Sequence, residues 1–302
     1  MTAKSCLRSM RLRSLPLSLA GMALGILLAA GDHGCKPLTV ILLLLTAVSL
    51  QILSNLANEL GDTLHGTDRS DRQGIHYSLQ DGAMTIPQMR RLIACFIVLS
   101  CLSGLGMLRS AFGTLSAPLP GAFVLLGAAA IWAAMRYTLG RKPYGYRGLG
   151  DVSVFVFFGL VTVCGGYYLT CLEWSPAILL PAAAMGCFSV AVLNVNNIRD
   201  MKSDAATRVT VAMRLGERRA RIYQTCLVAA GWILMTAFSL TAPVHPWRFL
   251  YFLSLFGFVR HLRGVWTLRD RALDPMLPLL AGGTLLFALL GGAGYLLALN
   301  GA

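Results

Sequence analysis

Asn196, Asp200 and Asp204 stand four residues apart in the run NNIRDMKSD (196–204). On a helix that spacing lines three polar side chains along one slowly drifting face. Carboxylates in such a row are hard oxygen ligands suited to magnesium, which is commonly held by one or two carboxylates together with substrate phosphates. A second cluster, NELGDTLHGTD (58–68), begins the same way with Asn58 and Asp62, but Gly66 occupies the next position. Asp68 follows Asp62 by six residues, which is about 240° around a helix and off the face. The spacing therefore predicts that the helix unwinds near Gly66, so that Asp68 swings back. Glu59 falls on a neighbouring face, and Asp71 is an outside candidate.

Two such clusters facing each other can hold two magnesium ions bridged by a diphosphate, because a bound cation reverses the repulsion between carboxylates and phosphate. The metal-ligand candidates are Asn58, Asp62, Asp68, Asn196, Asp200 and Asp204, and the catalytic carboxylates among them are Asp62, Asp68, Asp200 and Asp204. Bases placed to neutralise the remaining phosphate oxygens are Arg69 and Arg72, Arg141 and Lys142, and Arg208. The plainer alternative makes these acids loop charges paired with arginine. Recurrence of Asn-xxx-Asp at the ends of two apolar segments argues for the ligand role.

The elements that must position these residues are transmembrane helices. The chain has 302 residues, 56% of them hydrophobic and 13% charged, where a soluble domain carries about 25% charged residues. Apolar stretches long enough to cross a bilayer run over 14–31, 37–58, 90–109, 117–138, 152–171, 176–197, 219–241, 246–261 and 276–299. This predicts an all-α integral membrane protein, one polytopic domain over 1–302, with about nine spans around a central cavity open to the cytoplasmic side. The first segment has the flavour of a signal peptide, but no small-residue cleavage site follows, and it reads as an uncleaved helix.

The net charge of +13 does not indicate nucleic acid. Of the 26 Lys and Arg, 23 fall on the side of the N-terminus, leaving Lys36, Arg109 and Arg248 on the other. The positive-inside rule then puts the N-terminus in the cytoplasm and the C-terminus outside. All acidic residues except Asp32 and Glu173 share the cytoplasmic face, so a polar ligand enters there. The eight Cys show no zinc spacing and read as small packing residues. The stretch YTLGRKPYGYRGLGD (137–151) reads as an ordered loop, and RHLRGVWTLRDRALD (260–274) as a segment at the lipid head groups.

The paired clusters resemble the UbiA superfamily of intramembrane prenyltransferases, whose hallmark is a pair of NxxxDxxxD motifs. The second motif is complete in Asn196, Asp200 and Asp204; the first has Asn58 and Asp62, with two extra residues before Asp68. Within that superfamily, SNLANELGDTLHGTD (54–68), YTLGRKPYGYRGLGDVSVFVFFG (137–159), LNVNNIRDMKSD (193–204) and RLGERRAR (214–221) resemble the branch that prenylates 1,4-dihydroxy-2-naphthoate in menaquinone biosynthesis. Departures are Glu59 in place of the usual Asp, Gly74-Ile75-His76 where Gly-Pro and then Arg often stand, and Arg141 with Lys142 where the superfamily has YxxxK from Tyr137.

The resemblance implies magnesium-dependent transfer of a polyprenyl group from polyprenyl diphosphate to the naphthoate in the bacterial inner membrane, with loss of carbon dioxide and diphosphate, giving demethylmenaquinone. Tyr137, Tyr144 and Tyr146 read either as groups flanking the allylic cation or the ring or, the commoner role of loop tyrosines, as interfacial anchors; Tyr137 and Tyr144 are the substrate-binding candidates. Asp151 reads equally as a helix cap or a ligand. Rival readings are the same transfer to 4-hydroxybenzoate or haem, and a transporter of an anionic substrate. The transporter requires ionisable residues deep within the helices, and here nearly all lie at helix ends. Prenyl chain length and oligomeric state are not encoded in any recognisable residue.

Overall fold

The computed structural model describes residues 2–66, 77–205 and 207–300, and among these it contains helices and turns without strands. The long helices in chain order are α1 (Ala3–Met10), α2 (Leu15–His33), α3 (Pro37–Leu64), α4 (Ile86–Phe112), α5 (Pro118–Arg136), α6 (Gly150–Cys171), α7 (Leu179–Arg199), α8 (Glu217–Ser239), α9 (Leu255–Thr267) and α10 (Met276–Asn300). Their starts follow familiar chemistry. Proline occupies the first turn of α2, α3, α4 and α5, where its missing N–H costs nothing. Thr85 and Gln88 form a reciprocal capping box at α4.

Eight helices are long and apolar enough to cross a membrane among the described residues. Large apolar side chains stand bare on their outer faces, including Leu125 at 73%, Ile233 at 67% and Leu102 at 65% exposure. A water-soluble surface does not carry such a belt, whereas a lipid-facing one does. The expected span at 246–261 is built differently from the other eight. It is a 3₁₀ helix over Pro246–Ser254 that continues directly as α9. The 3₁₀ stretch rises faster per residue, so Pro246 to Thr267 covers about 37 Å. Arg260, His261 and Arg263 near its far end dilute its apolar character.

The core lies between α2, α6, α7, α8 and α10. Phe188 of α7 meets Phe258 of α9 and Phe287 of α10 with ring centroids 4.8 and 5.0 Å apart, and Trp232 of α8 closes the cluster against Phe287 at 5.0 Å. Such edge and tilted contacts add about 0.5–1.5 kcal/mol per pair beyond burial. Helix α7, the most enclosed span, carries the second acidic motif at its end, while α5 is the most peripheral. Helix α6 is interrupted by a π-helical stretch over Phe155–Val161, a local rewinding often found beside functional cavities.

Candidate active site

A cavity of about 360 Å³ opens between α2, α3, α5, α6 and α7. Its α3 wall runs from Leu43 through Leu50, Ser54 and Asn58 to Asp62, about 28 Å of helix rise. Leu43, Met107, Phe123 and Leu169 make one end apolar, while Asn58, Asp62, Asn196 and Arg208 make the other polar.

The polar end is assembled where two helices stop. Helix α3 ends at Leu64, and Gly66 takes a left-handed φ of 66°, so the helix terminates where the spacing predicted. Asp68, Asp71, Arg69 and Arg72 lie outside the described residues. Helix α7 ends at Arg199, but helical hydrogen bonding persists from Asp200 N to Asn196 O (3.0 Å) and from Asp204 N to Asp200 O (2.9 Å). The backbone therefore keeps Asn196, Asp200 and Asp204 on one face.

Arg208 couples the two motifs. Its guanidinium is 3.6 Å from Asp62 Oδ1 and 3.1 Å from Asp204 Oδ2, and it lies over the Tyr146 ring at 5.1 Å. Tyr146 also donates its hydroxyl to Asp62 Oδ1 at 2.6 Å. Burial alone would lower the Arg208 pKa, but the charges of Asp62 and Asp204 outweigh it and hold the side chain more firmly protonated. The segment carrying Arg208 is tied to the 137–149 connection through Val209 N to Tyr146 O, 2.9 Å.

The candidates separate by position. Asn58, Asp62, Asn196, Arg208, Tyr137 and Tyr144 line the cavity. Asp200 is fully buried and is not part of the cavity wall. Arg199 grips it with Nε at 2.8 Å and Nη2 at 2.7 Å, and also bonds Asn196 Oδ1 (2.8 Å) and Asp274 Oδ1 (2.5 Å). Two charges this deeply buried pair because an unpaired one costs several kcal/mol. Asp204 faces Arg208 and is likewise buried off the wall. Arg141 and Lys142 are exposed on the 137–149 connection, away from the cavity wall. The Gly140 turn and the 3₁₀ segment Tyr144–Arg147 carry the chain past them and turn the tyrosines inward instead.

Tyr137 and Tyr144 form an edge-to-face pair with centroids 5.4 Å apart. Burial pushes the Tyr137 hydroxyl well above its ordinary range, with Arg208 opposing and Tyr144, Asp151 and Asp62 adding. Tyr144 is raised by burial and lowered in part by its bond to Ser153; it also donates to Ala133 O at 2.9 Å. Both rings present neutral phenols to the cavity.

Glu59, adjacent to Asn58, belongs to a different structure. It is fully buried, and its Oε1 accepts Ser9 Oγ at 3.2 Å and Leu79 N at 2.9 Å, pinning α1 and the 77–84 turn to α3. His65 reaches the carbonyls of Gly61 (2.9 Å) and Gly140 (3.1 Å), so it bridges the end of α3 and the 137–149 connection. Gly61 is required by close approach: a Cβ there would lie 2.4 Å from Thr138 Oγ1 and 2.7 Å from its carbonyl. Thr138 donates to Ala57 O at 2.9 Å and to Asn58 Oδ1 at 3.3 Å, which orients the asparagine.

Several cavity residues escaped the sequence reading. Gln51 and Asn55 lie two turns and one turn before Asn58, respectively, and Asn55 Nδ2 bonds Met10 O and Ser14 Oγ, each at 2.8 Å. Arg11 has a left-handed φ of 50°, stacks over Tyr77 at 3.7 Å and lines the cavity, with Nε and Nη2 buried and without hydrogen-bond partners among the described residues. Asp151, which the sequence left open between cap and ligand, lines the cavity from the first turn of α6. The i, i+3, i+4 and i+7 spacing of Gln51, Ser54, Asn55 and Asn58 within an apolar helix was the available signal for the α3 residues.

A helical membrane bundle enclosing a cavity that is polar at one end and apolar along its length defines a class of intramembrane protein with an amphipathic internal site. Within that class, the chain belongs to the UbiA prenyltransferase family, whose profile matches residues 18–276. It is 42% identical over 286 residues to the 1,4-dihydroxy-2-naphthoate octaprenyltransferase of Escherichia coli (strain K12), covering 94% of this chain and 92% of that one. Identity is 37% over 235 residues to the protein of the same name from Mycobacterium tuberculosis (strain ATCC 25618 / H37Rv), with 77% of each covered. The fold matches the apo structure of a UbiA homolog from Aeropyrum pernix K1, with TM-score 0.71, 18% identity, and 93% of this chain and 96% of that one covered. It also matches a UbiA homolog from Archaeoglobus fulgidus solved with GPP and Mg2+, with TM-score 0.68, 19% identity, and 96% and 99% covered.

Proposed function

We propose that this protein transfers a polyprenyl group from polyprenyl diphosphate to 1,4-dihydroxy-2-naphthoate, with loss of carbon dioxide and diphosphate, giving demethylmenaquinone. The observation that carries this reading is the polarity gradient of the α3 wall, from Leu43 to Asp62. An isoprenoid tail fits its apolar length and a diphosphate its polar end. The names of the relatives supply the acceptor.

Asn58, Asp62 and Asn196 offer hard oxygens at the cavity wall, a donor set that fits magnesium held jointly with substrate phosphates. Asp62 and Asn58 would hold the ion on the α3 side and Asn196 on the α7 side, with Asp200, Asp204 and Asp68 as further candidate ligands. Magnesium there supplies neutralisation of the charge growing on the leaving diphosphate.

The protein's own groups do the rest. Arg208 and Arg11 are the cations on the described cavity wall, and both suit an anionic head group. Arg69 and Arg72 remain candidates for the same role by sequence. The Tyr137–Tyr144 pair supplies ring faces and edges for an aromatic acceptor and for an allylic cation. The apolar wall keeps water from that cation until the electron-rich ring attacks. The charge asymmetry supports a cytoplasmic N-terminus, an outside C-terminus and a site facing the cytoplasm of a bacterial inner membrane, with residues 1–302 acting as one polytopic domain.

The test supplies membranes containing the protein with magnesium, a polyprenyl diphosphate and each candidate acceptor, and identifies the quinone by mass. Demethylmenaquinone is expected. Prenylation of 4-hydroxybenzoate alone overturns the acceptor assignment, and dependence on a transmembrane gradient without product would favour a transporter.

A further inference from the structure

Asp151 lies outside both acidic motifs, yet it lines the same cavity as Asp62 and Arg208 while being only 8% exposed. It is not a helix cap: Leu149 holds the N-cap position of this helix and makes no side-chain cap bond, and Asp151 sits inside the first turn. Its Oδ2 accepts the Tyr223 hydroxyl from α8 at 3.1 Å. Two residues further on, Ser153 shares a hydrogen bond with Tyr144 at 2.9 Å, so the carboxylate and the Tyr137–Tyr144 aromatic pair furnish one corner of the cavity. A carboxylate facing a cavity whose head group and acceptor are both anionic is not there to attract charge. It suits a hydroxyl hydrogen-bond donor.

We propose that Asp151 is a catalytic residue that takes the proton of the aromatic acceptor's hydroxyl as the carbon–carbon bond forms, and that Tyr223 positions it. This rests on the acceptor being a hydroxylated aromatic carboxylate, as above. The prenyl C–O bond breaks, its electron pair leaving on diphosphate. The ring carbon bearing the carboxylate bonds to the prenyl carbon, the neighbouring hydroxyl becomes a ketone, and its proton passes to Asp151. The ring is now a β-keto acid. Its bond to the carboxylate breaks, carbon dioxide leaves, the electrons restore the aromatic ring, and the ketone oxygen recovers the proton from Asp151. No external acid, base or oxidant is needed.

The titratable and charged groups facing Asp151 are Tyr223 of α8, Tyr137 and Tyr144 of the connection before α6, and Asp62 and Arg208 elsewhere on the cavity wall; Cys187 of α7 adjoins Tyr223. A carboxylate base produces an acidic limb in the pH profile of kcat, since it must be ionised to accept the proton.

The test uses the full-length protein with magnesium, polyprenyl diphosphate and whichever aromatic acceptor the wild type prenylates. Asp151→Asn is expected to lower kcat by about 10²–10⁴-fold, to leave the KM for polyprenyl diphosphate nearly unchanged, and to erase the acidic limb. Asp151→Glu should regain part of the rate. Tyr223→Phe should keep the limb but move it to higher pH, because a donor that favours the ionised form is gone. An Asp151→Asn enzyme with wild-type kcat, or a slowed one that keeps the acidic limb, overturns the proposal, as does a loss confined to diphosphate KM. Should Asp151→Asn not fold, an unshifted limb in both Asp151→Glu and Tyr223→Phe overturns it instead. A wild type that prenylates a different aromatic refutes the naphthoate assignment while leaving the Asp151 profile to be read on that substrate.

Discussion

Arg208 stands 3.6 Å from Asp62, joining the acidic end of α3 to a segment 146 positions further along the chain. The same guanidinium is 3.1 Å from Asp204, so one cation occupies the gap between the two motifs. Its charge offsets the mutual repulsion of two carboxylates that both lie within reach of one guanidinium.

Removing it should therefore expose that repulsion. Arg208→Ala is expected to destabilise the protein by about 3–5 kcal/mol, the usual cost of breaking a buried pair, and to lower turnover at least tenfold. Thermal unfolding in detergent is the measure. Adding magnesium with diphosphate should recover much of the lost Tm, because the cation takes over the neutralisation. Equal loss with and without the ion would show that Arg208 acts elsewhere.

Asp62→Asn and Asp200→Asn should differ. Asp62 stands on the cavity wall and Asp204 still pairs with Arg208, so its amide variant should lose most turnover at a small cost in stability. Asp200 is locked by two of the three Arg199 nitrogens, so its variant should lose stability as well, leaving the guanidinium only partly partnered at depth. Comparing Tm beside kcat for the two variants separates them.

Glu59→Gln should keep activity within a few-fold. The bonds that Glu59 makes accept from Ser9 and from the Leu79 N–H, and an amide oxygen accepts both. Glu59→Ala should cost about 1–3 kcal/mol through the unpaired groups left behind. A collapse of turnover in Glu59→Gln with unchanged Tm would instead make Glu59 a metal ligand.

Gly61→Ala should raise the KM for polyprenyl diphosphate and lower Tm. Alanine improves helix propensity by about 1 kcal/mol, but the new Cβ would collide with the side chain and carbonyl of Thr138. Overpacking of this kind costs about 1–3 kcal/mol and shifts the end of α3 that carries Asp62. Thr138→Ala should rescue only in part, because the backbone oxygen remains.

Chelation by EDTA should abolish prenyl transfer, with magnesium restoring it. Since Asn58, Asp62 and Asn196 need phosphate oxygens to complete a hard-cation shell, magnesium affinity should rise when a polyprenyl diphosphate analogue is present. Calorimetric titration with and without the analogue reads that coupling, and identical affinities would argue against a shared ion.

The amino-acid sequence by itself determined the class, eight of the nine expected spans and the spacing within the two motifs, because each is written in local periodicity. Long apolar runs must become helices where no water satisfies the backbone, and Asn-xxx-Asp at four-residue spacing lands on one face whatever surrounds it. Gly66 ends its helix for the same local reason. The sequence could not show where a side chain that fits a motif would point. Asp200 and Asp204 carry the spacing of ligands but sit behind Arg199 and Arg208, since burial forces charges to pair before they serve anything else. Arg141 and Lys142 look like phosphate binders yet face outward, while Arg11, Gln51 and Asp151 enter the cavity from helices whose neighbours only the bundle defines. The contacts that build the site join α3 with α1, the 137–149 connection and the segment after α7. Distances between such separated segments are set by packing, and no spacing along the chain contains them.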